Sequence, residues 1–125
     1  MRLDPKAEAI IVPGEIDGPE TSAALDMLLD TGATYLTVTF EFAELLGYKP
    51  GLSAKTVRLM TANEDVLAPL IRIQRIRVLG MEASAVDALC IELPGDSNFD
   101  GLLGLSFLRL FDVDVHFRQG VLNIR

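Results

Sequence analysis

One stretch constrains the chain more than any other, because an apolar strand there ends on a charged residue. Residues 23–29 read Ala-Ala-Leu-Asp-Met-Leu-Leu, which predicts a strand, and they run directly into Asp30. A lone carboxylate in an apolar interior costs several kcal/mol. Thr31, Gly32 and Ala33 follow Asp30, so a small hydroxyl residue and a glycine come directly after the charge. A fold that contains this stretch must therefore give the carboxylate a use.

Short strands separated by turns account for most of the remaining chain. Pro13 is expected to halt or bend the first strand, residues 9–12, because proline cannot donate to a ladder. The other expected strands cover residues 35–38, 56–60, 66–68, 70–78, 83–93, 113–117 and 121–124. Regularly spaced turns between short strands predict a small, mostly-β, barrel-like fold. We expect one domain over residues 1–125, with residues 1–8 as a loose N-terminal lead-in.

Two brief helices interrupt this pattern. Thr39 is a suitable cap for a helix over residues 40–46, and Gly47 is a suitable stop for it. Residues 105–111 are expected to form the second helix. The apolar residues of the first helix are spaced as core residues, not as a binding motif.

The charge balance argues against a surface for nucleic acid. The chain has 125 residues and a formal net charge of -7, whereas nucleic-acid-binding proteins need clustered Lys and Arg. Its basic residues cluster in one place, at Arg72, Arg75 and Arg77, where they alternate with apolar residues. This pattern predicts the solvent-facing side of a strand pair. No apolar run reaches the roughly 18 residues that cross a bilayer, and the N-terminus lacks a signal-peptide pattern. We expect a cytoplasmic protein with no membrane contact from this segment, or the soluble domain of a longer membrane-tethered protein.

Few other residues suggest chemistry. The single cysteine, Cys90, lies in an apolar run and is expected to be a buried thiol. Asp114 and His116 share a strand face and invite a triad with Ser106 or Cys90, but neither nucleophile stands in a recognised motif. One His and one Cys are too few for a zinc site, and the acidic turns lack the spacing of a calcium loop.

Residues 28–34 and residues 101–104 are two motifs that together resemble the active-site region of retropepsin-like aspartic proteases, particularly those of bacteria. Residues 28–34 read Leu-Leu-Asp-Thr-Gly-Ala-Thr, similar to that family's apolar-apolar-Asp-Thr-Gly-Ala-Ser/Thr. About seventy residues downstream, residues 101–104 read Gly-Leu-Leu-Gly and precede the second expected helix. The resemblance spans roughly residues 9–125 and is loose between the two motifs. It implies the closed β-barrel of the acid-protease fold, with two short helices.

The resemblance also implies a reaction. Proteases of this class use two facing carboxylates that share one proton, because two like charges about 3 Å apart cannot both ionise. One carboxylate acts as a base on water while the other polarises the scissile carbonyl. The chain holds a single Asp-Thr-Gly, so the resemblance implies a homodimer in which each copy supplies Asp30 as the catalytic residue. The implied substrate is a peptide or protein, and no cofactor is required.

Supporting roles around Asp30 follow from the same resemblance. Gly32 would let the backbone approach the carboxylate and donate an N–H to it. Thr31 would hydrogen-bond to its symmetry mate across the dimer axis, and Ala33 would keep the floor of the site small. Gly104 would let a second chain segment cross beneath residues 30–33, the active loop.

A hairpin over residues 60–68 is expected to be the flap that closes over a bound peptide. Its tip consists of Thr61, Ala62, Asn63 and Glu64. Flaps of viral relatives are glycine-rich, and many bacterial relatives carry Asn-Gly where this chain has Asn-Glu. The tip is therefore expected to be stiffer, and the negative charges of Glu64 and of Asp65 beside it disfavour acidic substrates.

Two other interpretations remain open at this point. A retropepsin-fold dimerisation or peptide-binding module that does not cleave is favoured by the altered flap tip. A regulatory domain in which Asp30 is only structural is the other. The terminal hairpin, residues 113–124, either completes the sheet or contributes to a dimer interface.

Overall fold

A computed structural model describes residues 1–60 and 62–125 of the chain. Strands dominate these residues, and two short α-helices and one 3-10 turn, Pro50–Leu52, accompany them. The elements are β1 Ile11–Asp17, β2 Ser22–Leu29, β3 Leu36–Thr39, α1 Phe40–Leu45, β4 Thr56–Met60, β5 Asp65–Val78, β6 Met81–Ile91, β7 Gly101–Leu103, α2 Leu105–Leu108, β8 Val113–His116 and β9 Val121–Ile124.

Six strands form a closed ring. Their order is β1-β2-β7-β3-β6-β5, and pairing of β1 with β5 closes the ring. In the part of the chain that the structure describes, strand β4 lies outside the ring and pairs only with β5, while β8 and β9 form a separate two-stranded sheet. The mostly-β closed barrel with two short helices that the sequence predicts is confirmed.

Aliphatic side chains fill the barrel. Alternate residues of a strand point to opposite faces, so each strand sends one set of side chains inward. Phe107, from α2, is the largest of the fully buried side chains and is packed among the strands. The other large side chains with less than 2% exposure are Ile16, Met27, Leu36, Leu46, Ile73, Ile76, Leu103, Leu122, Val12, Val38 and Val78. Each such side chain contributes about 1.5–3 kcal/mol by leaving water.

The expected halt of the first strand at Pro13 is wrong, since β1 continues to Asp17. Pro13 lies opposite Asp26 of β2. On the other side of β1, the described pairing with β5 covers residues 14–17 and does not include Pro13. The backbone oxygen of Ile10 accepts a hydrogen bond from the N–H of Leu29. Bonded and non-bonded residue pairs alternate along an antiparallel ladder, so an N–H at position 13 would point away from β2. No ladder bond is lost there, so the strand tolerates the proline.

Other element boundaries differ from the expectation by a few residues. The strands expected at 66–68 and 70–78 are one strand, β5, which runs through Pro69. The second helix is shorter than expected and ends at Leu108, not at residue 111. The first helix is capped as predicted, with the Thr39 hydroxyl accepting from the Phe42 N–H at 3.1 Å.

The chain ends lie together. Within the expected N-terminal lead-in, Arg2 forms a β-bridge with Val121 of β9. Leu3 donates its N–H to the Gly120 oxygen at 2.8 Å, and Leu122 donates to the Met1 oxygen at 2.9 Å. Within the described parts of the chain, no helix is both long enough and apolar enough to span a bilayer.

The arginines of β5 lie on the outside of the barrel, as predicted. Arg77 binds Asp17 through two hydrogen bonds of 2.7 and 3.0 Å and also pairs with Glu15. Arg75 approaches Asp17 at 3.8 Å. The Arg77 guanidinium first, and then the Ser22 hydroxyl, hold the pKa of Asp17 well below its usual range. This cluster crosses from β1 to β5 at the seam where the ring closes.

We predict that Asp17→Asn destabilises the fold at neutral pH and that the deficit shrinks in acid. Because the folded-state pKa is depressed, the stabilisation is present above the ordinary value of 3.8 and is lost as the pH falls through the folded value. Urea unfolding midpoints measured between neutral and strongly acidic pH test this, with Asp96→Asn in an exposed loop as the matched control. Equal midpoints for Asp17→Asn and the control at neutral pH would contradict it.

Candidate active site

Asp30 stands at the end of β2, where the backbone turns into a short loop. Its N–H donates to the Leu103 oxygen of β7 at 3.1 Å, and its own oxygen accepts from the Ala33 N–H at 3.2 Å. Its Oδ1 accepts from the Gly32 N–H at 2.9 Å. The backbone of the loop therefore fixes both the position and the orientation of the carboxylate.

The loop presents this carboxylate at the surface. Asp30 is half-buried, and Thr31 and Gly32 are exposed. A side chain at position 32 would place a Cβ 3.2 Å from Oδ1 of Asp30, so glycine keeps this approach open. Ala33 is half-buried behind the loop. The bond across a dimer axis assigned to Thr31 stays a prediction.

Gly104 supports the loop from behind. It follows β7, which pairs in parallel with β2 and antiparallel with β3. A Cβ on Gly104 would lie 2.4 Å from the Tyr35 oxygen and 2.7 Å from the Ala33 oxygen. The next residue, Leu105, donates its N–H to Ala33 at 2.8 Å. Only glycine lets the segment before α2 pass this close to the chain that leaves the active loop.

Ser106 takes part in this support, a role that the sequence did not indicate. Its hydroxyl accepts from the N–H of Leu36 at 2.7 Å and donates to the oxygen of Asp87 at 2.7 Å. Its own N–H donates to the Thr34 oxygen at 3.0 Å. The side chain of Ser106 thus ties α2 to β3 and to β6, and its backbone N–H ties α2 to the residue after the active loop. In the sequence, Ser106 differs from its neighbours in α2 only as a hydroxyl residue in an apolar run.

A cleft separates the active loop from the β4–β5 hairpin. A cavity of about 310 Å³ has Gly32, Ala33 and Thr34 on one side and Val57, Arg58 and Leu59 of β4 on the other. Leu89, Ile91 and Leu102 also line it. Leu59 and Ile91 also line a second, mostly apolar cavity of about 450 Å³. The cleft therefore continues from the first cavity into the second.

The expected flap tip lies at the end of this hairpin. Ala62, Asn63 and Glu64 are exposed, and β5 begins at Asp65. Thr61, the first residue of the expected tip, lies outside the described residues. The hairpin, which pairs Met60 with Asp65, therefore presents its polar tip to solvent while β4 faces the cleft.

The structure does not bring together the residues of the alternative triad. The Ser106 hydroxyl bonds to the backbone, and Cys90 is buried. His116 is exposed on β8, and Asp114 beside it pairs with Arg125. Burial first, and then the charge of Glu44, raise the pKa of the Cys90 thiol to about 12. A thiol that stays neutral in this way is a poor nucleophile.

Gly104→Ala is predicted to destabilise the fold by about 1–3 kcal/mol, because the added methyl group must displace the chain behind the active loop. Urea unfolding measures the loss. Gly95→Ala is the matched control, since a Cβ at that position meets nothing within 4 Å. A Gly104→Ala protein as stable as this control would contradict the close packing described here.

Cys90 is predicted to resist alkylation in the folded protein. At about pH 8 iodoacetamide should react at least about a hundredfold more slowly than in concentrated urea, because burial keeps the thiol protonated. Mass spectrometry of samples taken over time gives both rates. Equal rates would show that the thiol is accessible and ionised in the fold.

Comparisons with known proteins agree with this architecture. A sequence model of a family described as aspartyl protease matches residues 12–107. A Sinorhizobium sp protein described as an uncharacterized protein in the cobV 5' region is 32% identical over 111 residues, which is 85% of this chain and 46% of that protein. The chain thus spans about half the length of this relative.

Among solved structures, a retropepsin-like aspartic protease from Rickettsia conorii has a similar fold. The TM-score is 0.73 at 21% sequence identity, and the match covers 100% of this chain and 95% of the other. The retropepsin-like fold that the two sequence motifs imply is confirmed.

Proposed function

The chain belongs to the aspartyl protease family, and we propose that it is an aspartic-type endopeptidase that acts as a homodimer. The observation that carries the proposal is the Asp30 carboxylate, held by the Gly32 N–H on an exposed loop that borders the cleft. We take residues 1–125 as one domain with this activity. Membership of the family supports a hydrolase of this type.

The proposed mechanism uses one Asp30 from each of two copies. One carboxylate removes a proton from a water molecule, and the other, protonated, donates to the scissile carbonyl oxygen. Gly32 keeps the carboxylate oriented, and Gly104 and Ser106 keep the loop in place from behind. Thr31 is exposed beside Asp30, where it is available to a second copy.

The cleft suggests the kind of peptide that would bind. Val57, Leu59 and Leu89 line it, so apolar side chains next to the scissile bond would be removed from water there. The exposed Glu64 and Asp65 at the hairpin tip would repel acidic segments of a substrate. We therefore expect cleavage between apolar residues in peptides that are not strongly acidic.

A second candidate function is a dimerisation or peptide-binding module without cleavage. The composition of the hairpin tip favours it, because Asn63 and Glu64 stand where glycine would allow the tip to bend over a substrate. Binding of peptides without turnover by the dimeric protein would support this candidate. Cleavage that depends on Asp30 would exclude it.

We predict that Asp30→Asn lowers peptide cleavage by about a thousandfold or more, because an amide cannot act as a base on water. A library of peptides with apolar residues at the cleaved bond, read by mass spectrometry at several pH values, measures the loss. Asp96→Asn, a carboxylate in the exposed loop after β6, should keep full activity. Activity that survives Asp30→Asn would refute the mechanism.

Mixing the two proteins tests whether both copies contribute. When wild-type and Asp30→Asn chains exchange at equal amounts, about half of the wild-type chains enter mixed dimers, which lack one carboxylate. Activity per wild-type chain should then fall to about half. Activity per wild-type chain that stays the same or rises after exchange would mean that a single Asp30 is sufficient.

A further inference from the structure

The cleft also continues past the active loop in a second direction, into a polar cavity of about 390 Å³. Thr34 and Tyr35 line both this cavity, the distal pocket, and the 310 Å³ cavity beside the active loop. The other polar side chains that line the distal pocket come from β6 and from the region of α2, and they are Ser84, Asp87, Ser106 and Arg109. A peptide bound in the cleft can therefore extend past Thr34 and Tyr35 into the distal pocket.

Hydrogen bonds fix the backbone around the distal pocket. The Thr34 oxygen accepts from the Ser106 N–H at 3.0 Å, and the Ser106 hydroxyl donates to the Asp87 oxygen at 2.7 Å. Arg109, the C-cap residue of α2, donates its own N–H to the Leu105 oxygen at 3.0 Å. The segments that line the pocket are thus held to one another before any peptide binds.

The charges along this path favour an anion. Arg58 lines the cleft and Arg109 lines the distal pocket, and within residues 1–60 and 62–125 neither forms an ion pair. Asp87 also lines the distal pocket, but its carboxylate pairs with Arg72 of β5 at 3.4 Å. The negative charge in the pocket is therefore partly compensated, whereas the guanidinium of Arg109 is not. A guanidinium presents several N–H donors in a geometry that matches a carboxylate.

We propose that the distal pocket selects an acidic side chain of the substrate and that Arg109 is the residue that binds it. The substrate then has apolar residues at the cleaved bond and an acidic residue farther along the peptide. Because the proposed dimer is symmetric, the pocket occurs once on each side of the cleaved bond. This inference rests on the proposed function, since it names the substrate class of the same cleft.

The acidic hairpin tip makes this preference depend on position. Glu64 and Asp65 are exposed at the tip, and no described residue of the tip lines the distal pocket. Charges are screened over about 8 Å at physiological ionic strength, so each group acts on the substrate residues next to it. An acidic residue is therefore repelled where the peptide passes the tip and attracted where it reaches Arg109.

A positional scan tests the preference. A cleaved peptide is prepared with acetylated and amidated ends, so that no terminal carboxylate competes, and Glu or Gln is placed in turn at each position outside the cleaved bond. At about 0.15 M salt, kcat/KM for the Glu peptide should exceed that for the Gln peptide about fivefold at one position on at least one side. This is the size expected of a partly exposed ion pair. A scan in which no position favours Glu would overturn the proposal.

Substitution of Arg109 assigns the preference to the distal pocket. Arg109→Gln should lower the Glu-to-Gln ratio of kcat/KM at that position to about one, and Arg109→Glu should make a Lys peptide the better substrate. Lys49→Gln is the matched control, because it removes one positive charge from an exposed residue that lines neither cavity. It should keep the ratio within about twofold.

Two results would refute the role of Arg109. One is a ratio that Arg109→Gln leaves unchanged or that Lys49→Gln lowers equally. The other is a ratio that is abolished by Arg58→Gln and not by Arg109→Gln, which would place the acidic side chain in the cleft itself. Circular dichroism that matches the wild type is required of each variant.

Peptide binding to Asp30→Asn protein separates this inference from the proposed function. Fluorescence anisotropy of a labelled peptide, displaced by the Glu and Gln peptides of the scan, gives the preference without turnover. A fivefold preference that Arg109→Gln abolishes, in a chain whose wild type cleaves no peptide, would support the pocket and exclude the proposed function. Cleavage that depends on Asp30 but favours Glu at no position would support the function and exclude the pocket. A protein that neither binds nor cleaves any of these peptides would overturn both.

Discussion

The active-site loop depends on the insertion of one very short strand between two others. Strand β7 pairs with β2 on one side and with β3 on the other, and glycine stands at each end of this close contact. A Cβ on Gly101 would lie 2.5 Å from the Thr37 oxygen, and one on Gly104 would lie 2.4 Å from the Tyr35 oxygen. Backbones can meet at these distances only where no side chain stands between them. This contact lets Leu103 accept the N–H of Asp30.

The surroundings of this contact make the site rigid on one side. Ser106 satisfies the N–H of Leu36 and donates onward to Asp87, so the backbone groups behind the loop are bonded. Breaking one partner of such a network leaves a polar group unsatisfied, which costs about 1–3 kcal/mol. A catalytic carboxylate benefits from this arrangement, because its orientation is fixed before the substrate arrives.

The other side of the cleft is built differently. The β4–β5 hairpin extends from the ring, and its tip has exposed polar residues and no glycine. The sequence also holds a single Asp-Thr-Gly, so the proposed pair of carboxylates needs a second copy.

Local signals predicted much of the fold. The cap at Thr39, the strand before Asp30 and the terminal hairpin each depend on residues close together in the chain, where side-chain chemistry and period decide the conformation. The predicted halt at Pro13 was wrong because a proline breaks a strand only where its missing N–H faces a neighbouring strand. Where β5 pairs with β1 is set by residues distant in sequence. The role of Ser106 was missed for the same reason, since its hydroxyl binds Leu36, 70 residues away.

Read alone, the sequence contains one Asp-Thr-Gly after an apolar strand, a second glycine motif downstream and a mostly-β pattern. Those features are local, and the family resemblance that they carry predicted the fold and the candidate catalytic residue. The groups that hold Asp30 and the hydrogen-bond phase that accommodates Pro13 became known from the folded chain. Both depend on contacts between distant segments, and the hydrogen-bond phase of a ladder exists only once its strands are paired.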